Sequence, residues 1–216
     1  MTNRGLFGAF LKANIQMIDF YTIPSLSPNV RKALVMLAET GLPYSVVRLE
    51  RQGDGKLPEA FSAINPNATV PAIVDRESGE AIFESGAILY YLALKSGKLL
   101  SADPGVRGQV MKWLMFEAAN VGPAMGELYH YLLKAPEGAE AVVPRYQDKV
   151  ARYCSILERQ LEGREYLCGD YSIADVALYP WTAIVEEMAE VDLASYPNLR
   201  RWADTIGRRP AAQATY

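Results

Sequence analysis

Residues Asn67–Ala93 read NATVPAIVDRESGEAIFESGAILYYLA, and three different local signals follow one another within them. Ala72–Val74 and Ala81–Phe83 are short apolar runs, with the turn-forming Glu77–Gly79 between them. That pattern predicts an antiparallel β-hairpin. Pro71 stands directly before the first run, where a proline marks a sheet edge or a turn. Past the hairpin, Ile88, Leu89, Leu92 and Ala93 recur on one face of a predicted helix over Gly86–Leu94.

Working back from the hairpin, Gln16–Tyr21 (QMIDFY) predicts a strand. Val30, Ala33, Leu34, Leu37 and Ala38 then form one apolar helix face, which Gly41 ends. Tyr44–Glu50 (YSVVRLE) predicts the next strand. Strand, helix and strand in that order suggest a parallel pair with a crossover helix. A Gly-, Asp- and Lys-rich loop at Gln52–Leu57 leads to a short predicted helix near Pro58–Ile64.

Working forward, strand patterns stop after Gly97. The loop KLLSADPG, with Asp103-Pro104-Gly105, suits a domain boundary. Long helices are predicted at about 106–134, 138–162, 173–187 and 197–208. Pro123, between Gly122 and Gly126, is expected to bend the first of these. Ser172 is expected to cap the third, with Asp175 reaching back as in a capping box. The organisation expected is a leader at 1–14, an α/β domain at 15–97 and an all-helical domain at 104–216.

The chain has 216 residues, half of them hydrophobic and 22% charged, which suffices for a substantial core. A net charge of -3 gives no reason to expect nucleic acid or an acidic membrane as partner. No apolar run approaches the ~18 residues that a membrane-spanning helix needs. Cys154 and Cys168 are the two cysteines. They make no disulfide framework, so a reducing cytoplasm is expected. No metal-ligand cluster, phosphate loop or Ser-His-Asp order is visible, so no metal is expected.

Three motifs, NATVPAIVD at Asn67–Asp75, AIFESGAILYYLA at Ala81–Ala93 and YSIADVALYPW at Tyr171–Trp181, closely resemble the cytosolic glutathione transferases. The resemblance extends from about Ile15 to Pro210. It implies an α/β thioredoxin-like N-terminal domain (βαβ-α-ββα) followed by an all-α C-terminal helical domain. SPNVRK at Ser27–Lys32, GPAMGELYHY at Gly122–Tyr131 and RYQ at Arg145–Gln147 look most like the bacterial Nu-type branch of disulfide-bond oxidoreductases. The activity implied is glutathione-dependent, either conjugation to electrophiles or disulfide reduction. The family is usually homodimeric, so a homodimer is expected.

Glutathione as co-substrate asks three things of a site: a grip on its γ-glutamyl end, a hold on its extended backbone, and stabilisation of its thiolate. The resemblance assigns the first to Glu84 and Ser85, where a helix start can receive a carboxylate. It assigns the second to Val70 before a cis Pro71, pairing with the cysteinyl backbone like an added strand. Lys56 is a candidate for the glycine carboxylate, and Arg145 for a bound disulfide or a second glutathione. Thr69 departs from the lysine that relatives often carry there. Ser27 and Asn29 align with the residues that contact the sulfur in the Nu-type branch, with Ser25 and Tyr21 as alternatives. Met125, Tyr129, His130 and Tyr131 are candidates for a pocket that takes a hydrophobic electrophile or disulfide. Two other readings fit the same motifs: a non-enzymatic glutathione-fold regulator, and a transferase that cleaves β-aryl ethers.

Overall fold

The computed structural model describes residues 17–25, 27–134, 138 and 141–215. The expected leader and Gln16 lie outside them. The chain divides into two compact units, the first extending to Leu92 and the second covering Ala93–Thr215.

The first unit begins with strand β1 (Ile18–Thr22), helix α1 (Pro28–Thr40) and strand β2 (Tyr44–Arg48). β1 alternates buried and half-buried residues, as a strand with one core face must. It pairs with β2 in parallel, Phe20 opposite Val46. α1 is punctuated at both ends. Ser27 caps its start, Pro28 follows at a position where no N–H is needed, and Gly41 at φ 71° returns its N–H to the Leu37 carbonyl. The apolar face expected of α1 is buried at Val30, Ala33, Leu34 and Leu37, whereas Ala38 is exposed and Lys32, Val35 and Met36 are buried instead. The helix is thus covered around more of its circumference than one stripe requires.

The short helix after β2 is a 3-10 turn at Glu59–Ala63, closed by Ile64 N–H on the Phe61 carbonyl. Five residues leave little room for α-helical bonds, and the tighter turn satisfies the ends. The expected hairpin follows as β3 (Ala72–Asp75) and β4 (Ala81–Phe83), antiparallel with Ala72 opposite Phe83. β3 also runs antiparallel to β1, giving the sheet order β2-β1-β3-β4. Buried Asp75 pins the hairpin turn by accepting from the Glu77 N–H at 2.9 Å and from the Tyr91 hydroxyl. Helix α2 (Ser85–Ser96) closes the unit, with Ile88, Leu89, Leu92 and Ala93 buried as the periodicity predicts. This mixed four-stranded sheet, in βαβ-α-ββα order, is a thioredoxin-like fold.

Helices α3 (Pro104–Phe116), α4 (Gly122–Lys134), α5 (Val142–Gln160), α6 (Ile173–Thr182), α7 (Val185–Ala189) and α8 (Pro197–Gly207) belong to the second unit. The single helix expected over 106–134 is interrupted by a π-helical turn, Glu117–Val121. Pro123 has no N–H to return to the carbonyl four residues back, and its ring crowds that carbonyl. Gly122 therefore bonds five residues back, to the Glu117 carbonyl. The insertion also turns the Glu117 carboxylate inward, where Trp181 Nε1 donates to it at 2.8 Å. The helix expected over 173–187 breaks at Ile184, which leaves helical geometry at φ -117°.

The capping box at Ser172 is present, and Asp175 does more than cap. One carboxylate oxygen accepts from the Ser172 N–H and hydroxyl, each at 3.0 Å. The other accepts from the Leu167 N–H at 3.0 Å and from Trp202 Nε1 at 2.9 Å. A local helix-start signal is thereby also the polar knot of the helical core. Among the described residues, no helix is long and apolar enough to cross a membrane.

Candidate active site

The N-termini of α1 and α2 are brought together although they lie far apart in sequence. Ser27 Oγ accepts from the Val30 N–H at 3.4 Å, as an N-cap should. Accepting uses a lone pair, so the hydroxyl proton remains available to donate. Asn29, in the first turn, is oriented by its carbonyl side. Its Oδ1 accepts from Lys32 Nζ at 2.8 Å and from the Ser85 hydroxyl at 3.3 Å. The Asn29 Nδ2 amide has no hydrogen-bond partner among the described residues.

Lys32 is the member of this group that sequence reasoning missed. Its side chain is 1% exposed, and its ammonium lies 2.8 Å from Asn29 Oδ1 and 3.5 Å from Ser85 Oγ. The signal was present in the spacing: a lysine three positions after an asparagine shares its helix face. A lysine among apolar helix positions is a second signal, since lysine is rarely buried without a purpose. Two helix N-termini and one ammonium make this corner electropositive, a setting for anions.

Ser85 opens α2, and the preceding Glu84 holds a left-handed backbone at φ 66° with an exposed side chain. Few non-glycine residues adopt that conformation, and it tends to persist at functional positions. The Val70-Pro71 bond is cis, as the resemblance implied. Val70, like Tyr21 and Phe83, packs against the buried group of Leu57, Phe61 and Ala72. Buried Asn65 braces the loop leading to it, donating from Nδ2 to the Thr69 carbonyl at 2.6 Å and accepting from the Asn67 N–H at 3.0 Å. Thr69, where relatives often carry lysine, is occupied in this local network.

The alternatives for the sulfur contact have other surroundings. The Tyr21 ring packs on Phe61 at 5.8 Å between centroids, and burial, then Asp19, push its phenol upward. Ser25 is exposed in the loop before α1, where its N–H donates to the Ile23 carbonyl at 2.6 Å. Lys56 is 80% exposed and pairs with Asp54 at 3.4 Å. It borders a cleft of about 470 Å³ also lined by Arg51, Gln52, Leu57 and Ala68.

The remaining candidates lie in the helical unit. Met125 is buried in its core, while Tyr129 is 55% exposed and His130 is exposed. Tyr131 stacks on Tyr146 at 6.0 Å and meets the His130 ring edge-to-face at 5.6 Å. Arg145 is exposed in the first turn of α5. Burial pushes the Cys154 thiol up to about 12 and the Cys168 thiol up to about 11, so neither supplies a thiolate at neutral pH. Among the described residues, no group of three or more His, Cys, Asp or Glu is placed to hold a metal.

A thioredoxin-like unit with an anion-receptive corner, joined to an all-helical unit, defines a class of thiol-handling proteins. Known proteins make the class specific. The glutathione S-transferase N-terminal domain matches residues 26–95, and the C-terminal domain of the same family matches residues 121–210. The chain belongs to the glutathione S-transferase family. It is 37% identical to the disulfide-bond oxidoreductase YfcG of Escherichia coli, over 90% of this chain and 92% of that protein. It is 36% identical to YghU of the same organism, also a disulfide-bond oxidoreductase, over 87% of this chain and 70% of that one. Among solved structures, a glutathione transferase from Pseudomonas putida, with one glutathione disulfide bound per subunit, superposes with a TM-score of 0.83. It is 33% identical and covers 98% of this chain and 97% of its own. A second, from Burkholderia graminis with two glutathione molecules bound per subunit, gives a TM-score of 0.82 at 34% identity, covering 99% and 94%.

Proposed function

We propose that this protein is an enzyme that binds glutathione and uses its thiolate, with disulfide reduction as its main chemistry and conjugation to electrophiles as a secondary one. The observation that carries this reading is the Asn29 Nδ2 amide, which has no partner among the described residues while the Ser85 hydroxyl and Lys32 hold its Oδ1. The two E. coli relatives, disulfide-bond oxidoreductases by name, favour sulfur over carbon as the target.

Ser85, at the α2 start, receives the γ-glutamyl carboxylate through its backbone N–H, its hydroxyl proton being given to Asn29, and Glu84 takes the ammonium. Val70 pairs with the cysteinyl backbone, and Lys56 serves the glycine carboxylate. The sulfur then lies at the α1 start, where the Ser27 hydroxyl and Asn29 Nδ2 donate to it. Lowering a thiol pKa by about two units requires ~3 kcal/mol of preference for the thiolate. One hydrogen bond to a charged group supplies roughly 1.5–3 kcal/mol, and a partly buried helix end up to ~2 kcal/mol. No general base is needed, because the proton leaves to water.

In disulfide reduction the thiolate attacks one sulfur of RS–SR, forming GS–SR and releasing RS⁻. A second glutathione thiolate attacks the glutathione sulfur of GS–SR, forming glutathione disulfide and releasing the other RS⁻. Two glutathione molecules are oxidised for each disulfide reduced. Because Cys154 and Cys168 stay protonated, the exchange runs through glutathione thiols and not through the protein's own. In conjugation the same thiolate attacks an electrophilic carbon and a leaving group departs.

We assign Arg145 to the anionic ends of the disulfide substrate. Met125, Tyr129, His130 and Tyr131 are assigned to its apolar parts. A homodimer in the cytoplasm, with no metal, fits the family resemblance and the sparse cysteines. The test compares purified wild type, Ser27→Ala and Asn29→Ala with glutathione plus hydroxyethyl disulfide, and separately with an aryl halide. Turnover of the disulfide that falls at least tenfold in Asn29→Ala is expected. Glutathione binding without turnover of either substrate would make the protein a non-enzymatic binder.

A further inference from the structure

We propose that Lys32 is a positioning residue: its ammonium holds Asn29 Oδ1 so that the Asn29 amide, and not its carbonyl, is presented to the glutathione sulfur. The proposal rests on the preceding assignment of Asn29 as a sulfur contact.

An asparagine side chain is nearly symmetric in shape but not in polarity, so a free rotor would offer a thiolate its acceptor as readily as its donors. A carbonyl oxygen facing a thiolate repels it. In this structure the choice is made by two donors on one oxygen, Lys32 Nζ at 2.8 Å and the Ser85 hydroxyl at 3.3 Å. Lys32 has no acceptor capacity, so it fixes the direction of its bond to Asn29 absolutely. Ser85 can donate or accept, and it also receives Lys32 Nζ at 3.5 Å. Lys32 thereby sets the direction of the Ser85 hydroxyl as well, and the three side chains form a one-way chain ending on Asn29 Oδ1. Lys32 itself is buried, at 1% exposure, and the low local dielectric strengthens its bond to that oxygen.

Ser85 belongs to the γ-glutamyl end of the site and Asn29 to the sulfur end. Lys32 therefore links recognition of the peptide to readiness of the thiol. A binding-only role for Lys32 would change glutathione affinity and leave the thiol alone. A positioning role changes how much of the bound glutathione is thiolate.

The experiment titrates the protein saturated with glutathione, following thiolate by its ultraviolet absorbance, in wild type, Lys32→Met, Lys32→Arg, Asn29→Ala and the Asn29→Ala/Lys32→Met double variant. Lys32→Met is expected to raise the pKa of the bound thiol by about one unit, the range for losing a favourable polar contact to the charged form. Lys32→Arg, still a pure donor, restores most of the shift. The double variant shows no more shift than Asn29→Ala alone, since Lys32 acts through Asn29. Should Lys32→Met fail to fold, Lys32→Arg carries the test, because it keeps only donors for Asn29 Oδ1 and should leave the thiol close to wild type. An unchanged thiol in folded Lys32→Met, a Lys32→Arg thiol as high as that of Asn29→Ala, or fully additive shifts overturn the proposal. If Asn29→Ala raises the thiol pKa but Lys32→Met does not, this proposal alone fails. If wild type does not bind glutathione or leaves its thiol unshifted, the function proposed above fails with it.

Discussion

The Ser85 hydroxyl donates to Asn29 Oδ1 at 3.3 Å, joining residues 56 positions apart at the starts of two helices. In the proposed function this bond ties the residue assigned to the γ-glutamyl end to the residue assigned to the thiol. The sheet makes it possible: β1 leads into α1, β4 leads into α2, and β3 lies between those strands, pairing with both.

Ser27 caps α1, and substitutions separate that role from the one proposed for it at the sulfur. Ser27→Ala loses the cap on the Val30 N–H, a cost of about 0.5–2 kcal/mol, and also the hydroxyl proposed to donate to the sulfur. Ser27→Thr keeps both. The expected result is a lower melting temperature and at least tenfold slower turnover for alanine, with threonine near wild type in both. An alanine variant that melts lower but turns over normally would confine Ser27 to the cap.

Cys154 and Cys168 are pushed up to about 12 and about 11 by burial, so both are thiols at neutral pH. The Cys154→Ala/Cys168→Ala double variant should therefore keep at least half of wild-type disulfide reductase activity. Native protein should react slowly with iodoacetamide and quickly once unfolded. Loss of most activity in the double variant would place a protein thiol in the exchange.

A Cβ at Gly122 would lie 2.8 Å from Glu117 Oε1, the oxygen that accepts from Trp181 Nε1. Gly122→Ala must then displace a buried, hydrogen-bonded carboxylate, and overpacking of this kind costs about 1–3 kcal/mol. Glu117→Gln keeps an acceptor for Trp181 and is expected to cost less. Urea midpoints of the two variants give the comparison, and a Gly122→Ala midpoint equal to wild type would show that the π turn relaxes freely.

Burial pushes the Asp175 carboxyl up, while donors from Leu167, Trp202 and Ser172 pull it part of the way back. A carboxyl raised in the folded state holds its proton more readily there than in the unfolded chain. Its contribution to stability is complete below the ordinary value of 3.8 and is lost as pH rises through the folded value. Asp175→Asn has no such proton and also loses an acceptor for the Ser172 N–H, at about 1–3 kcal/mol. Wild type should therefore exceed the variant by a margin that shrinks from about pH 4 toward neutrality. A margin that widens over that range would mean the four donors outweigh burial.

Much of this molecule is legible along the chain because its signals are local. The hairpin at Ala72–Phe83, the Gly41 stop, the Ser27 and Ser172 caps and the apolar stripe of α2 each depend on a few neighbouring residues. The motif around Val70-Pro71 and Glu84-Ser85 is equally local, and it carried the family. Where expectation and structure part, a distant residue intervenes. The helix over 106–134 opens into a π turn at Glu117, whose inward carboxylate meets Trp181 on another helix. Ala38 is exposed and Lys32 buried because what covers α1 comes from elsewhere in the fold.

By itself the sequence determined the order of strands and helices, the helix caps, the family and the residues that open the two key helices. Those are properties of short segments, whose periodicity and capping chemistry are complete within one or two turns. Only the tertiary structure decided that Lys32 turns inward, that Asn29 and Ser85 meet, and that Asn29 Oδ1 takes the bonds of both Lys32 and Ser85. Hydrogen bonds between side chains 53 and 56 positions apart depend on how the sheet sets two helix starts side by side. No periodicity in the chain encodes that distance.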